Sequence, residues 1–565
     1  MTPRIIKSHH IFLFPFRWDL KSEDTSIDNI SFESRANMHK IKSMLANKII
    51  NQSRKVNGTE CKWQFFNFEI KSAKDFSEYN YFYPYLRDAF FSKQTNEADD
   101  HISLLQLEYQ GASCLNYEIE ANFYQDESQI IKHFILEIEN ITLNIYNPGI
   151  GILAFHLSNY LTNDQDDILL INDFGRRIYP QYLGGNPLTS APKSNFLAQK
   201  ITLTNQQNKP FTTPETFKSY DTLPKKDNVL KLPNFISEIL TENFQTNTSN
   251  LKLDQVLIEP VIDDRMFVCC WYGNSNKIKN LANLSCSIFN KNCSYSYIDD
   301  SWWYKYIFID GKDLGAGSCR LRHELSEQHT YYRHIEFGTL IGVSRYSFVM
   351  LTTEINPKDI EKGFSFIRDV LLVHIQTMYF QLVMMALIQR ASVIRFSHEV
   401  TNLSSLENIN QTINASSIES LHKKYIQFVN KFYFREITAQ EQGIDLYDML
   451  LTKMDTERNV RDLNKEIDEL DQFITLKEQS KQTQQATTLT KVATILLPAS
   501  LIAGILGMNT LDTNQMSKFL ISCHPQWAFW ISILTVILIS YLIISLINYR
   551  FELNLSLNPF KRKQK

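Results

Sequence analysis

Three polar stretches in the first 350 or so residues hold the side-chain types that bind anions, hydroxyls and rings. Asp173-Phe174-Gly175-Arg176-Arg177-Ile178-Tyr179-Pro180 sets two guanidinium groups beside a glycine turn, and Asp263-Asp264-Arg265 precedes an apolar strand. The glycine-spaced run from Phe337 to Tyr346 carries Gly338 and ends in Arg345-Tyr346. Arginines next to glycine backbone grip phosphate, carboxylates hold ribose hydroxyls or an amino group, and aromatic rings stack on a base. Each stretch taken singly reads equally well as an ion pair or a turn that stabilises a domain; together they point to a small-ligand site.

Two tempting motifs fail on geometry. His323-Glu324-Leu325-Ser326-Glu327-Gln328-His329 resembles a zinc-protease helix, but that chemistry needs histidines four apart on one face, and six residues turn about 240°. Gly311 to Gly317 lacks the Gly-Lys-Ser/Thr ending of a phosphate loop and reads as a turn. With no constellation of nucleophile and base, an enzyme is not expected. A net charge of −3 and the lack of a basic face argue against direct nucleic-acid binding. Eight cysteines form no CxxC pair, and Cys269 and Cys270 are adjacent, which argues against a zinc site or a disulfide framework and fits a reducing cytoplasm.

The elements that must position these residues fall in an α/β domain over 1–355. Alternating or aromatic runs predict strands at Ile11 to Phe16, Trp63 to Ile70, Leu104 to Tyr109, Phe134 to Ile138, Leu143 to Tyr146 and Gly151 to Leu157. Further strands are predicted at Val256 to Ile258, Met266 to Trp271, Tyr306 to Ile309 and Ser347 to Thr352, with helices at Phe32 to Ile50 and Leu232 to Leu240. Between 187 and 231 the chain turns to Thr, Asn, Gln, Lys and Pro, as expected of an insertion or a boundary between lobes.

No proline occurs between Pro357 and Pro498, and Gly363 and Gly443 are the only glycines there, which predicts long helices over 356–487. One runs from Pro357 to Val400, a second from Ser416 to Glu436, and a third from Gly443 into the next region. On the third, Val460, Leu463, Ile467, Leu470 and Ile474 form a short heptad seam flanked by Glu466, Asp468, Glu469 and Asp471, a solvated acidic face.

Two apolar segments follow within 488–550. Leu489 to Leu506 would rise ~27 Å as a helix, close to the hydrocarbon thickness of a bilayer. Trp527 to Ile547 carries no charge and is bounded by interfacial aromatics. The loop between them holds only Asp512 and Lys518 as charges, whereas Lys561, Arg562, Lys563 and Lys565 lie in the basic tail 551–565, so both termini are expected in the cytoplasm. Ala493, Ala499, Ser500, Ala503 and Gly504 make the first segment small-sided, as a helix packed around a wet axis would be; the second suits an outer, lipid-facing helix. The simpler alternative is a two-helix anchor tethering a soluble domain.

The stretch from Leu497 through Pro498, Ala503 and Gly504 to Gly507-Met508-Asn509 resembles the CorA family of divalent-cation channels, whose members end in two transmembrane helices joined by a loop that opens with Gly-Met-Asn. The resemblance implies a homo-oligomer, a pentameric funnel in the bacterial inner membrane. It makes Asn509 a ring that binds hydrated Mg²⁺, shaped by Gly507 and Met508, with Ser500 and Leu497 on the pore face. Mg²⁺ sheds water reluctantly, and neutral amide oxygens suit its hydration shell. The loop lacks the acidic patch common in the family.

The large N-terminal domain further resembles the large-headed CorA proteins associated with type III CRISPR systems, through His10 to Trp18, Phe174 to Pro180, Asp263 to Phe267, Gly338 to Ser347 and Gln440 to Tyr447. That resemblance implies control by a nucleotide second messenger made from S-adenosylmethionine and ATP (SAM-AMP) in antiviral defence. The ligand residues so expected are Arg176, Arg177, Asp263, Asp264, Arg265, Gly338, Arg345 and Tyr346. The alternatives are a Mg²⁺ or Zn²⁺ transporter governed by the cation itself, and a membrane-anchored protein that binds or degrades nucleotides.

Overall fold

The computed structural model describes residues 4–23, 30–56, 58–91, 102–125, 128–178, 198–216, 232–246, 251–263, 265–286, 293–311, 316–404, 415–507, 534–535, 538 and 541–542. Most of the second apolar segment, Met508, Asn509, Asp264 and much of 187–231 lie outside them. The chain divides into two compact units, Met1–Ile467 and Asp468–Lys565.

The first unit is built on a mixed sheet of fifteen described strands. Its central strand, Ser8–Leu20, is buried along almost its whole length, which is why it reads as a continuous apolar run rather than an alternating one. Strand Ile150–Asn159 pairs antiparallel along one edge. On the other edge the partner changes: Phe267–Gly273 lies opposite Ser8 to Leu13, and Val256–Pro260 opposite Phe16 to Leu20. Pro15, with no N–H to donate, sits at that change of partner. Beyond Phe267–Gly273 come Ser347–Thr352, paired in parallel, and then Thr339–Val343.

Several expected elements have different bounds. Phe134 to Ile138 and Leu143 to Tyr146 are one strand, Ser128–Tyr146, carried through a register shift between Ile138 and Asn140. Tyr306 to Ile309, expected as a strand, ends the helix Ser301–Phe308 instead. Asp300 caps that helix, accepting a hydrogen bond from the Trp303 N–H at 2.7 Å, and Trp302, Trp303, Tyr306 and Ile307 then share a buried face at helical spacing. Phe32 to Ile50 is split into Phe32–Arg35 and Met38–Met44, the latter continued by one π turn, Leu45–Ile49. Cys293 is disulfide-bonded, and its backbone stands opposite Cys286 in a two-stranded hairpin, so the expectation of a chain without a disulfide framework is corrected here: hairpin pairing, not sequence spacing, brings this cysteine to a partner.

The helices expected as a stalk are largely part of the first unit. The predicted Pro357 to Val400 helix is interrupted at Gly363, whose φ is +90°, and again at Thr377 (φ −126°, ψ −88°), before Met378–Ser404 runs unbroken. The stretch Ile367–Leu403 is, among the described residues, the one helical segment long and apolar enough to span a membrane, but 83 % of its most apolar window is buried inside the protein. Burial on this scale makes it a core helix. The helix expected from Gly443 onward is Glu441–Lys453, followed by a turn at Asp455 (φ +56°) and a 52-residue helix, Thr456–Gly507. On the latter Val460, Leu463 and Ile467 of the heptad seam are buried, the acidic residues beside them are exposed, and in the second unit Leu489, Leu496 and Leu497 present bare apolar surface.

The core helix is held to the central strand by a buried charge network. Arg395, fully buried, donates to the carbonyl oxygens of Trp18 and Gly149 at 2.9 Å each and to Asp19 Oδ1 at 2.6 Å. Arg35 joins Asp19 and Glu399 at 2.7 Å each. Gly149 (φ +79°) must be glycine, since a Cβ there would lie 2.8 Å from the Arg395 guanidinium carbon. Burial pushes the Asp19 carboxyl up, but Arg395 and Arg35 outweigh it and hold Asp19 below the usual range. Removing one member leaves a buried charge short of its partner, so Arg395→Met is expected to cost about 3–5 kcal/mol, read as a lowered unfolding midpoint of the detergent-solubilised protein. A midpoint within error of wild type would show that the network contributes nothing.

Three buried histidines also line this sheet. Burial holds His9, His10 and His156 at about 3, with Lys74 adding to the effect on His9 and the neighbouring His9 on the other two. His10 is wedged between the Ser8 hydroxyl at 2.8 Å and Asn172 Oδ1 at 2.7 Å. A base whose folded pKa is depressed contributes stability that is present above its unfolded value of 6.5 and lost as pH falls from there toward about 3. Each should therefore withdraw about 1.4 kcal/mol between pH 7.5 and 5.5, measurable by denaturant titration at the two pH values; a flat profile would mean that the rings are hydrated.

Candidate functional site

The helix Gln165–Gly175 starts on Asp164, whose carboxylate accepts from the Asp166 and Asp167 N–H groups, and ends where the chain must pass under Phe12. A Cβ on Gly175 would meet the Phe12 ring at 2.7 Å, so the glycine allows the close approach. The chain then leaves the helix through Arg176 and Arg177. Arg177 forms an isolated antiparallel bridge with Arg265, and the Met266 N–H donates to the Arg176 carbonyl at 2.8 Å. Backbone pairing thus joins the first two polar stretches, which lie almost ninety positions apart.

Their side chains interlock. Arg177 donates to Asp173 Oδ1 at 2.7 Å and to the Asp173 carbonyl at 3.2 Å. Arg176, fully buried, reaches Asp173 only at 3.9 Å and donates through Nη2 to the Ile309 carbonyl at 3.1 Å. That carbonyl is presented by a left-handed Ile309 (φ +54°) at the end of the helix Ser301–Phe308. Two residues on, Gly311 (φ +61°) lies so close to Asp173 that a Cβ would sit 2.6 Å from Oδ2. Gly311 therefore belongs to this neighbourhood through close packing, not as part of a phosphate loop.

The third stretch arrives on the turn between Thr339–Val343 and Ser347–Thr352. The Val268 N–H donates to the Tyr346 carbonyl at 3.0 Å, which fixes the turn beside the strand that follows Arg265. Arg265 donates to Asp263 Oδ2 at 2.9 Å, and its guanidinium lies 5.7 Å from the Tyr346 ring centre. Arg390, from the core helix, lies 5.4 Å from the same ring and donates to the Arg345 carbonyl at 2.7 Å. With two guanidinium groups against it, the Tyr346 ring is engaged in cation–π contacts rather than standing open for a base. Arg345 itself donates to the Lys453 carbonyl at 3.0 Å, the last residue of Glu441–Lys453.

The electrostatics follow from burial. Removal from water pushes the Arg176 guanidinium down to about 10; Asp173 counters this, and Arg177 and Arg265 add to it. Arg176 Nε and Nη1 are buried and have no hydrogen-bond partner among the described residues. Burial also lowers Arg390, against the opposing pull of its hydrogen bond to Tyr346. Asp263 acts on Arg390 electrostatically, raising it, and among the described residues no group of three or more His, Cys, Asp or Glu is arranged to hold a metal ion.

Of the residues singled out in the sequence, Arg176, Arg177, Asp263, Arg265 and Tyr346 come together and Arg345 borders them. Gly338 does not: it caps the turn Ile335–Phe337 at the far end of the strand Thr339–Val343, roughly 17 Å of extended chain away. Its left-handed φ of +74°, beside Thr353, gives it a turn-forming role. Asp264 lies outside the described residues. Sequence reasoning missed Arg390, Asp173 as a carboxylate of the site, and the Ile309 carbonyl. Only Arg390 left a signal, as the first charge in the apolar run from Met378.

Of the expected pore residues, Gly507 closes the long helix and Leu497 and Ser500 are exposed on it, with the Ser500 hydroxyl donating to the Leu497 carbonyl at 2.9 Å; Met508 and Asn509 lie outside the described residues. Comparison with curated proteins and with solved structures returned no match. Residues 392–550, which include Gly507-Met508-Asn509, match the family model of the CorA-like Mg²⁺ transporter protein.

Proposed function

We propose that the protein is a homopentameric CorA-like Mg²⁺ channel of the bacterial inner membrane, gated through its large cytoplasmic head by a nucleotide second messenger, SAM-AMP, in CRISPR-linked antiviral defence. The observation that carries the transport reading is the family match over 392–550, which spans both apolar segments and the Gly-Met-Asn loop. The bare apolar surface of Leu489, Leu496 and Leu497 supports it, since such surface needs lipid or a neighbouring helix. In this reading Asn509 from each subunit offers its amide oxygen to a hydrated cation, Gly507 and Met508 shape the ring, and Ser500 and Leu497 face the pore.

Gating is supported by the convergence of the arginine cluster on the start of the long helix. Arg390 holds the Arg345 carbonyl, and Arg345 holds Lys453, two residues before the left-handed Asp455 that precedes Thr456–Gly507. A ligand shifts a pore equilibrium only by its difference in affinity for the two states, and a contact chain from site to pivot supplies a place for that difference to act.

Two measurements test this reading. In proteoliposomes Asn509→Ala should reduce Mg²⁺ flux at least tenfold; undiminished selective flux would remove Asn509 from the pore. Titration of the purified protein with SAM-AMP should show saturable binding and a change in flux, and Arg345→Ala should keep the binding while blunting the flux response. Absence of binding would leave a transporter governed by its cation alone.

A further inference from the structure

Cys293 is disulfide-bonded and exposed. Of the eight cysteines in the chain, Cys61, Cys114, Cys269, Cys270 and Cys319 carry free thiols, which leaves Cys286 and Cys523 to pair with it. Cys523 lies outside the described residues. Cys286 stands directly opposite Cys293 in the antiparallel hairpin of Leu284–Cys286 and Cys293–Tyr295. Opposed residues of an antiparallel pair hold their Cα atoms about 4.5–5.5 Å apart, inside the roughly 4.4–6.8 Å that a disulfide spans. Register therefore makes Cys286 the partner.

The hairpin is a two-stranded sheet with three paired positions, separate from the fifteen-stranded one. Two strands that short do not hold together in water by themselves, so the covalent link carries a large share in keeping them paired. The body of the head is tied to this hairpin at its base. The Ser296 N–H and hydroxyl both donate to the Asn283 carbonyl, at 2.9 and 3.0 Å. The Tyr295 ring, two residues after Cys293, lies 6.4 Å from the ring of Tyr332, and its hydroxyl donates to Glu336 at 3.1 Å. The residues on either side of Tyr332 reach a different neighbour. Tyr331 donates to Asp445 at 3.0 Å, and Arg333 pairs with Glu441 at 2.6 Å and with Asp445 at 3.1 Å. The short strip from Tyr331 to Arg333 is thus held by the hairpin through its middle side chain and by the helix Glu441–Lys453 through the outer two. That helix ends two residues before the left-handed Asp455 that precedes Thr456–Gly507.

We propose that Cys286 and Cys293 form a reversible thiol–disulfide switch, which tightens or loosens the hold of the hairpin on Tyr331 to Arg333 and so on the helix Glu441–Lys453. The proposal rests on the cytoplasmic placement of the head and adds a redox input to the nucleotide one. In a reducing compartment a disulfide is as a rule transient or redox-sensing, and exposed disulfides are the ones that exchange readily. The step balances with a small-molecule disulfide such as oxidised glutathione. One cysteine thiolate attacks it and expels a glutathione thiolate; the second then attacks the protein sulfur of the mixed disulfide and expels the other. Two electrons pass from the protein dithiol to the glutathione disulfide, and the two thiol protons end on the two glutathiones. Reduction runs the same path in reverse.

The test equilibrates the detergent-solubilised full chain in buffers of rising reduced-to-oxidised glutathione ratio, traps thiols with N-ethylmaleimide and reads each cysteine by mass spectrometry. Cys286 and Cys293 should gain the label together, from about one tenth to about nine tenths of molecules, within the ratios of a reducing cytoplasm, while the exposed free thiol of Cys319 serves as the internal control. Hydrogen exchange over 329–337 and 441–453 should be roughly threefold faster in the reduced protein, and the Cys286→Ser/Cys293→Ser variant should exchange at the fast rate under both conditions. Both cysteines labelled at every ratio, a disulfide that survives the most reducing buffer, or a bond from Cys293 to Cys523 would overturn the switch. So would exchange over 441–453 that ignores reduction, or that responds equally in the double variant. None of these results bears on the transport and nucleotide readings, which stand or fall on Mg²⁺ flux and SAM-AMP binding.

Discussion

The head depends on one buried contact, the Arg395 guanidinium against Asp19 and the carbonyls of Trp18 and Gly149. A helix as apolar as Met378–Ser404 could dock on the central strand in many rotations and slides, since hydrophobic burial has no direction. A charge with no exposure at all can be satisfied at very few of them. The network therefore does for this interface what a single buried polar residue does for register in a coiled coil: it makes one arrangement far less costly than its neighbours.

That choice of register places the candidate site. Arg390 precedes Arg395 by five residues, about 140° further round the helix, so with Arg395 locked inward on the central strand Arg390 must emerge on another face. It emerges beside the Ser344 to Tyr346 turn, where the edge of the sheet brings in Tyr346 and the bridge at Arg177 and Arg265 brings in the helix end. Five chain segments thus meet at one end of the central strands.

How much of this was legible in sequence depended on whether the signal was local. Continuous apolar strands such as Ile11 to Phe16 and Ser347 to Thr352 were readable because burial on both faces writes itself into composition. The segment Tyr306 to Ile309 was not, because Trp302, Trp303, Tyr306 and Ile307 make an apolar face at helical spacing that a four-residue window mistakes for a strand. The arginines were visible as types, but a guanidinium in an ion pair and one with open donors look identical in sequence. Gly338 drew notice for the same reason as Gly311, and only the fold separates a turn glycine at the far end of a strand from one pressed against Asp173.

The sequence by itself determined the chemistry at hand: a C-terminal part, 392–550, that matches the CorA-like Mg²⁺ transporter model and carries Gly-Met-Asn, a large α/β head, and three polar stretches rich in arginine, carboxylate and aromatic side chains. These are set by residue type and short-range spacing, which need no partner to be read. The tertiary structure alone decided which arginines are neutralised, because pairing over separations of nearly ninety residues, as between Arg177 and Arg265, depends on sheet register. It likewise decided that the most apolar helix of the head is buried core, since composition records how much a segment avoids water and not what it avoids water with.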